Sequence, residues 1–214
     1  MNFQPRVEPA PPEWGASTSP ASGSRLARLL SEVLQTLVVA TIIFLAVNLV
    51  TARIRVEGSS MEPSLHDGEL VVVNRLAYRW GGPARGDIVV FRFPLDPDRR
   101  FIKRVIGLPG ELVFIGDGQV SVDGVRLDEP YIAAAPRYNG EWEVQPGQVF
   151  VLGDNRNNSS DSQTWGPVPL EQLIGKAVLV YWPPPEAGLI PHTSQLVEAA
   201  ASRPVLESAS TRSQ

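Results

Sequence analysis

Cysteine is absent from this chain of 214 residues, and its absence excludes disulfide bonds, cysteine-based zinc sites and a cysteine nucleophile. Histidine is nearly absent too: His66 lies in a polar turn and His192 in a proline-rich segment near the C-terminus. Neither position favours a Ser-His-Asp triad. The formal net charge of −4 lacks the basic excess that is typical of nucleic-acid-binding proteins, so we expect no nucleic-acid partner.

Lysine is also scarce. Among the 19 basic residues only Lys103 and Lys176 are lysines. Lys103 lies in the apolar stretch Phe-Ile-Lys-Arg-Val-Ile. An arginine keeps its proton in a protein, whereas burial can lower the pKa of a lysine until its amine is neutral. Lys103 is therefore a candidate base, although a strand lysine that points to solvent would show the same pattern.

Charge is missing from one long segment, the 20 residues from Val33 to Ala52. A helix of this length spans about 30 Å, the thickness of the hydrocarbon core of a bilayer. The segment is apolar on all sides, which favours a membrane span over a core helix. A cleaved signal peptide is the other alternative, because Val50-Thr51-Ala52 offers small residues. The run exceeds the usual h-region and follows a long polar segment, so we predict an uncleaved signal anchor.

The pattern divides the chain into four segments. Residues 1–24 are rich in Pro, Ser, Gly and Ala and are predicted to be a disordered cytoplasmic tail. Residues 25–52 are predicted to be the transmembrane helix with its basic flank. Arg25 and Arg28 should keep the N-terminus cytoplasmic, although Arg53 and Arg55 flank the other end. Residues 53–183 are predicted to form a β-rich domain, and residues 184–214 a disordered C-terminal tail.

Beyond the anchor, apolar residues alternate or form short runs between Gly, Pro and Asp, which is typical of strands. Asp117-Gly118 and Asp123-Gly124 predict tight turns. No long amphipathic helical pattern follows the anchor, so we predict a mainly β fold of antiparallel sheets. The predicted strands are Arg53–Glu57, Glu69–Asn74, Asp87–Phe93, Phe101–Ile106, Glu111–Ile115, Gln119–Val122, Gln148–Leu152 and Ala177–Trp182.

Ser60 is the candidate nucleophile. It follows Gly58 and precedes Met-Glu-Pro, a sequence that predicts a sharp bend after a strand. A serine hydroxyl needs a nearby base to become a good nucleophile. The motif Gly-x-Ser-x-Gly is not met because Glu62 replaces the second glycine, and Ser-x-x-Lys is not met either. Locally, Ser60 fits an ordinary polar turn; with Lys103 as its base, it fits a Ser-Lys enzyme.

A polar segment, residues 153–162, follows the predicted strand Gln148–Leu152 and contains Asp154, Ser159 and Asp161. It fits an ordinary loop of Asx and Ser turns, and it also fits a site that orients the lysine. Asp154 and Asp161 could contribute to a metal site. Their spacing differs from the Asp-x-Asp-x-Asp-Gly pattern of the EF-hand, which argues against metal binding.

Together, the anchor and these motifs resemble the bacterial type I signal peptidases, which are membrane-anchored Ser-Lys endopeptidases. The resemblance extends from the anchor to about Trp182 and implies an antiparallel β-sheet catalytic domain of the signal-peptidase type. Several ordered motifs at family-like spacing are far more specific than any one of them. The matching stretches are Gly58–Leu65, Asp67–Val73, Arg85–Phe91, Phe101–Glu111 and Gly153–Arg156, followed by Trp165-Gly166-Pro167.

The resemblance implies catalytic roles by position. Ser60 would be the nucleophile, Lys103 its general base, and Ser159 would hydrogen-bond the lysine amine and hold it in place. The backbone amides of Ser60 and Gly58 would stabilise the oxyanion. The family often carries a serine at the position of Gly58, and its hydroxyl is missing here.

The resemblance also implies supporting and substrate-binding residues. Asp154 would pair with Arg104, and Asp161 would support the loop. Gln163 stands where the family often has an arginine, so the ion pair with Asp161 would become a neutral hydrogen bond. No metal or organic cofactor is implied. The residues that would line shallow pockets for small substrate side chains are Val56, Met61, Leu65 and Ile102.

The implied activity is removal of N-terminal signal peptides from secretory precursor proteins, with cleavage after small residues of the Ala-x-Ala type through an acyl-enzyme. The implied partners are these precursors, membrane lipid and the protein translocation machinery. The host would be the bacterial inner membrane or the thylakoid, with the catalytic domain on the outer face. The alternative is a non-catalytic anchored β-domain that binds peptides or a translocation complex. A self-cleaving Ser-Lys repressor would need a DNA-binding domain in place of the anchor.

Overall fold

The computed structural model describes residues 23–191 of the chain. It comprises two units, the first containing helix α1 up to Ala46 and the second beginning at Val47. Helix α1 spans Gly23–Val50. Within Arg25–Val50, an 18-residue window has a mean hydropathy of 2.4, and none of that window is buried. The helix is therefore long and apolar enough to cross a bilayer, as predicted.

Helix α1 ends at Val50 rather than at Ala52, so the predicted end of the anchor was too late. The Thr51 hydroxyl donates to the carbonyl of Val47 at 2.8 Å in the last turn of the helix. Thr51 and Ala52 instead begin strand β1, where Ala52 pairs with Val73 of the neighbouring strand. Pairing with this strand, together with the β-branched Thr51, overrides the apolar pattern that continues through these two residues.

The second unit is built from two antiparallel sheets. The larger sheet has the strand order β1-β2-β11-β3-β4-β9-β10, with β12 paired to β11, and the smaller sheet has the order β7-β6-β5-β8. The predicted antiparallel β fold is therefore confirmed. The strands are β1 (Thr51–Arg55), β2 (Leu70–Asn74), β3 (Ile88–Phe93), β4 (Asp96–Gly107), β5 (Leu112–Gly116), β6 (Gln119–Val122), β7 (Val125–Arg126), β8 (Gly140–Glu143), β9 (Gln148–Leu152), β10 (Val168–Pro169), β11 (Leu173–Trp182) and β12 (Gly188–Leu189).

The eight predicted strands are all present. Strands β6 and β9 have the predicted bounds, whereas β4 and β11 extend further toward the N-terminus than predicted. Strands β7, β8, β10 and β12 were not predicted, since each has only two to four residues and lacks an alternating apolar pattern. A four-residue helix α2, Ser162–Trp165, and two 3-10 turns, Leu170–Gln172 and Pro184–Glu186, complete the structure.

The predicted C-terminal tail begins too early. Residues 184–191 contain the turn Pro184–Glu186 and strand β12, which pairs with β11 through Leu189 and Leu179. Ile190 is buried in the core, with 4% of its surface exposed. The apolar contact of Ile190 explains why the chain stays folded after the prolines. The remaining parts of the two predicted tails, residues 1–22 and 192–214, and with them His192, lie outside the described residues.

Strand β4 joins the three apolar clusters of the core. Ile102 belongs to the cluster of Val71 and Val90, Ile106 to the cluster beneath the smaller sheet, and Val105 to the cluster of Val89 and Phe91. Since close-packed neighbours on both faces restrict a strand, β4 is a rigid base for any side chain that it carries. Lys103 is one of these side chains.

Candidate active site

Ser60 lies in the turn that follows β1, and buried neighbours hold this turn in place. Met61 and Leu65 are fully buried in the same apolar cluster as Val56. The amide of Leu65 donates to the carbonyl of Met61 at 2.9 Å, which closes the turn. Gly58 has φ +79°, a left-handed conformation that a residue with a side chain rarely adopts. The half-buried Ser60 is thus presented at the wall of a cleft.

Lys103 reaches Ser60 from β4. Its Nζ donates to the Ser60 Oγ at 2.7 Å and to the carbonyl of Ile102 at 2.9 Å. Register explains the position: Lys103 pairs with Val89 in the middle of the β3–β4 ladder, so its stem is surrounded by core strands. Only 4% of its surface is exposed. The two side chains predicted to form a catalytic pair are in direct contact.

Burial changes the chemistry of the lysine. It lowers the pKa of Lys103 from 10.5 to about 8, while the negative charges of Asp161 and Asp154 act in the opposite direction. A substantial fraction of the amine is therefore neutral near pH 8, and a neutral amine can accept the proton of the serine hydroxyl.

A buried ion pair lies beside the lysine. Arg104 donates to the two carboxylate oxygens of Asp154, from Nε at 2.8 Å and from Nη2 at 2.6 Å, and its Nη1 donates to the carbonyl of Gly86 at 2.9 Å. Arg104 and Asp154 are almost completely buried. The bidentate geometry joins strand β4 to the loop after β9, as the resemblance implied.

Asp161 organises the same loop from within. One of its oxygens accepts from the amide of Gly153 at 3.0 Å, and the other accepts from the amide of Gln163 at 3.3 Å as the N-cap of α2. Burial raises the pKa of Asp161, although these hydrogen bonds and the nearby Lys103 oppose the shift. The neutral partner expected at Gln163 is its backbone amide rather than its side chain.

The polar loop also forms hydrogen bonds with the turn that carries Ser60. The amide of Asn155 donates to the carbonyl of Ser60 at 3.1 Å, and its side chain donates to the carbonyl of Ser59 at 3.1 Å. The side chain of Asn158 donates to the Ser59 Oγ at 2.9 Å. A methyl group on Gly153 would overlap the Ser60 carbonyl, so glycine is needed for this close approach.

The cleft at Ser60 lies between β1 and the first half of β4 and has a volume of about 670 Å³. Ile54, Val90, Phe101 and Ile102 supply its apolar lining. Ser60 and Lys103 lie at its wall, so a molecule in the cleft would have direct access to both.

The site and the fold can be compared with known proteins. A family model described as "Signal peptidase, peptidase S26" matches residues 29–182, which is most of the chain. The chain belongs to the signal peptidase S26 family. The family predicted from the motifs is thereby confirmed, and membership makes the chain a serine peptidase.

Individual members of the signal peptidase family agree. "Probable signal peptidase I-2" of Synechocystis sp. is 44% identical over 167 residues, which cover 74% of this chain and 76% of the relative. "Signal peptidase I" of Leptolyngbya laminosa is 38% identical over 183 residues, which cover 81% of this chain and 88% of the relative. A solved signal peptidase I from Enterococcus faecalis is 34% identical, with a TM-score of 0.41 over 44% of this chain and 95% of that chain.

Of the contacts implied by the resemblance to signal peptidases, one is not present and another has a different partner. The described hydrogen bonds of Lys103 go to Ser60 and Ile102, so the predicted bond to Ser159 is wrong. The amide of Gly58 donates to the Asp67 carboxylate at 2.7 Å, so in this structure it has another acceptor, and its role as second oxyanion donor stays a prediction. Among residues 23–191 no hydrogen bond uses the amide of Ser60, which leaves this donor free for an oxyanion.

The predicted substrate-pocket residues share one apolar cluster, but they do not all line the cleft. Ile102 lines it, whereas Val56, Met61 and Leu65 are buried beneath it and support the turn of Ser60. Sequence reasoning missed Ile54 and Val90, which line the cleft with Ile102. Alternation within β1 and within β3 indicates on which face of its own strand each residue lies. Because β1 and β3 are not adjacent in the sheet, the sequence did not show that Ile54 and Val90 line the same cleft.

Sequence reasoning also missed a second buried ion pair behind the loop. Arg156 donates to both oxygens of Glu129 at 2.8 and 2.7 Å, and the hydroxyl of Tyr131 donates to Glu129 at 2.8 Å. The guanidinium of Arg104 stacks on the Tyr131 ring at 4.0 Å. Among residues 23–191 no group of His, Asp or Glu side chains is arranged for a metal ion, and Asp154 carries its ion pair with arginine.

Proposed function

We propose that this family member is a membrane-anchored endopeptidase that removes N-terminal signal peptides from secretory precursor proteins. The observation that carries the proposal is the 2.7 Å contact between the Lys103 Nζ and the Ser60 Oγ, at the wall of a cleft. Membership of the family and the relatives named signal peptidase I support the substrate class. A domain that only binds peptides is the alternative. It would not explain why a buried lysine contacts a serine hydroxyl.

The first half of the proposed reaction forms an acyl-enzyme. Lys103, with its amine neutral, accepts the proton of the Ser60 hydroxyl as the oxygen attacks the carbonyl carbon of the last signal-peptide residue. The backbone amide of Ser60 donates to the oxyanion that forms. The C–N bond then breaks, and the lysine returns the proton to the leaving amine of the mature protein.

The second half releases the signal peptide. A water molecule enters the place of the leaving amine, and Lys103 accepts one of its protons as the oxygen attacks the ester carbonyl. The bond to the Ser60 oxygen breaks, and the lysine returns the proton to that oxygen. The enzyme recovers its starting state, and every proton transfer uses the same pair.

Two free strand edges of the larger sheet line the cleft and could receive an extended substrate. Among the described strands, β1 pairs with β2 alone, and the first half of β4 pairs with β3 alone because β9 joins only from Arg104 onward. We propose that a precursor segment lies between these two edges and adds a strand to the sheet, with backbone hydrogen bonds for affinity.

The proposed preference for small residues before the cut rests on the resemblance to signal peptidases. Side chains of an added strand that point into the cleft would meet Ile54, Val90, Phe101 and Ile102. This apolar lining is compatible with small apolar side chains such as alanine. We therefore propose cleavage after an Ala-x-Ala pattern.

The buried ion pair and Asp161 are proposed as positioning groups. Arg104 and Asp154 fix the loop to β4, and Asp161 fixes Gly153. The loop in turn holds the Ser60 turn through Asn155. Small displacements of a nucleophile from its base reduce rates strongly, so each of these contacts should support catalysis without touching the substrate.

We propose that α1 anchors the enzyme in the bacterial inner membrane or the thylakoid. Arg25 and Arg28 would keep the N-terminus cytoplasmic, and the β-domain would act on the outer face. Lipid would surround α1, and the translocation machinery would deliver precursors to the same membrane. Protease treatment of sealed vesicles tests the orientation: the β-domain should be digested from the outer face only.

The catalytic assignment is tested by cleavage of a precursor protein in nonionic detergent. Wild type should release the mature protein, and both Ser60→Ala and Lys103→Ala should reduce the rate to background. Lys103→Arg keeps the charge but removes the base, so it should be equally inactive. Ser121→Ala, in strand β6 of the smaller sheet and outside the cleft, is the matched control and should retain most of the activity, because the contact with Lys103 is made by Ser60.

An active Ser60→Ala enzyme would contradict the nucleophile, and an active Lys103→Arg enzyme would contradict the base. If wild type bound precursors without any release of mature protein, the binding-only alternative would replace the proposal.

A further inference from the structure

The cleft is cationic although the protein as a whole is acidic, with a net charge of −4. Arg53 and Arg55 of β1 and Arg99 and Arg100 of β4 all line it. All four side chains are exposed, and within residues 23–191 none of them forms a hydrogen bond or an ion pair. The guanidinium of Arg99 does lie 5.1 Å from the centre of the Phe101 ring. The charged donors of these side chains therefore remain available to a ligand.

This concentration of charge disfavours the fold. Arg100 stands directly opposite Arg92 in the β3–β4 ladder, and Arg99 is its immediate neighbour in the chain. Like charges at opposed positions destabilise a strand pair. The acidic residues that line the cleft, Glu57 and Asp98, form no ion pair with these arginines. A function that uses the positive charge would account for the arrangement.

The arginines lie on one side of the catalytic pair. Strand β1 runs toward Ser60 and strand β4 toward Lys103, so both arginine pairs precede the site along their strands. Arg99 is four residues before Lys103, or about 13 Å along an extended strand. Arg99 and Arg100 thus lie beyond Ile102 of the apolar lining, at the distance of about four to six residues of an extended substrate before the cut, whereas Arg53 and Arg55 flank Ile54 on the other strand.

We propose that Arg53, Arg55, Arg99 and Arg100 form a subsite for an acidic side chain in the signal peptide, about four to six residues before the cut. The inference rests on the proposed function, in which the residues just before the cut occupy the apolar lining. Guanidinium groups bind carboxylates in a planar, two-bonded geometry, and several of them around one cleft repel a basic side chain. The subsite is a specificity determinant for precursors.

Anionic lipid headgroups are the competing occupant, because Arg53 and Arg55 follow directly on α1. Two observations favour the peptide. Arg99 and Arg100 belong to β4, far from the anchor in sequence, and they line the same cleft as Ser60 and Lys103. A headgroup would also not explain why two strands with free edges both carry arginines at the same cleft.

The test uses the full chain in nonionic detergent with three precursors that differ only five residues before the cut, where they carry Glu, Gln or Lys. We expect kcat/KM to fall in that order, by about three- to tenfold from Glu to Lys, mainly through KM, and the difference to shrink at high salt. The double substitution Arg99→Glu and Arg100→Glu should reverse the order. Arg126→Glu alters an exposed arginine of β7 outside the cleft and should preserve the order.

A second double substitution, Arg53→Gln with Arg55→Gln, tests the arginines of β1. It should reduce the differences in kcat/KM among the three precursors. Equal cleavage of all three precursors by wild type would overturn the subsite and leave the proposed function intact. The subsite would also be overturned if the acidic residue changed kcat/KM only when it is placed after the cut, in the mature protein. Dependence on anionic lipid vesicles but not on the precursor's charge would assign the arginines to headgroups. Absence of any cleavage would remove both the function and the subsite.

Discussion

Raising the pH from 7 to 9 should increase kcat/KM for precursor cleavage by about tenfold, because Lys103 is a base only when its amine is neutral. Burial lowers the pKa of Lys103 to about 8. With that pKa, about a tenth of the amine is neutral at pH 7 and about nine-tenths at pH 9. The rate should therefore rise with unit logarithmic slope below pH 8 and level off above it.

The size of the change distinguishes this site from its alternatives. A lysine with the ordinary value of 10.5 would give an increase of about a hundredfold over the same interval, without a plateau. If Lys103 is not the base, kcat/KM should not show this rise between pH 7 and 9. The charge of Asp161 raises the pKa of Lys103, so Asp161→Asn should move the midpoint to lower pH.

The assay is initial cleavage of a precursor in nonionic detergent between pH 6 and 10. The precursor should lack titratable side chains near the cut, and Ser60→Ala supplies the background rate. Carbon-13 NMR of the lysine ε-carbons gives an independent value of the pKa, because Lys103 and Lys176 are the only lysines of the chain. A midpoint above about 9.5, or a lysine signal that does not titrate with the rate, would refute the reasoning.

Three further changes test the surroundings of the site. Lys103→Met should raise the free energy of unfolding at pH 7 by about 3 kcal/mol, because folding lowers the pKa of Lys103 and a charged lysine therefore destabilises the folded wild type. Wild type regains this stability as the pH rises from about 8 to 10.5. The difference between the two proteins in denaturant titrations should therefore vanish above about pH 10.5. Asp154→Asn should cost about 3–5 kcal/mol in the same measurement, since it removes the carboxylate charge of a buried ion pair with Arg104. Gly153→Ala should reduce kcat by about a hundredfold, since a methyl group displaces the Ser60 turn. Gly81→Ala, in open space, should have wild-type kcat; equal losses in both would contradict the close-approach argument.

Much of the fold could be predicted because its signals are local. Alternation of apolar residues and paired Asp-Gly turns predicted β6 at its observed bounds, and an apolar run predicted β9. The uncharged run predicted α1 but not its end. Thr51 and Ala52 carry no charge, so the absence of charge does not show whether they belong to the helix or to the strand that follows. Pairing with β2 decided between the two.

Short strands escaped prediction for a related reason. Strands β7, β10 and β12 have two residues each, too few for any periodic pattern. Their existence depends on a neighbour that is already in place, such as β11 for β12. The same dependence explains why the chain remains ordered through Ile190 after a run of prolines that predicted a tail.

The candidate site divides in the same way. Ser60 and Lys103 could be identified because the motifs that carry them have a characteristic order and spacing. The contact with Ser159 and the amide of Gly58 could not be judged, because each depends on a hydrogen-bond partner that the fold selects. The fold gave the Gly58 amide to Asp67 and left the Ser60 amide without an acceptor among the described residues.

The sequence by itself determined the family, the antiparallel β class and the apolar helix, and it predicted Ser60 and Lys103 as the catalytic pair, since each is encoded in composition or in short ordered motifs. Only the tertiary structure decided that Asn158 holds Ser59 across 99 residues of sequence, and that arginines of β1 and β4 share one cleft. The physical reason is range. Strand patterns and motifs act within about ten residues, whereas hydrogen bonds and charge clusters depend on which strands the core brings together.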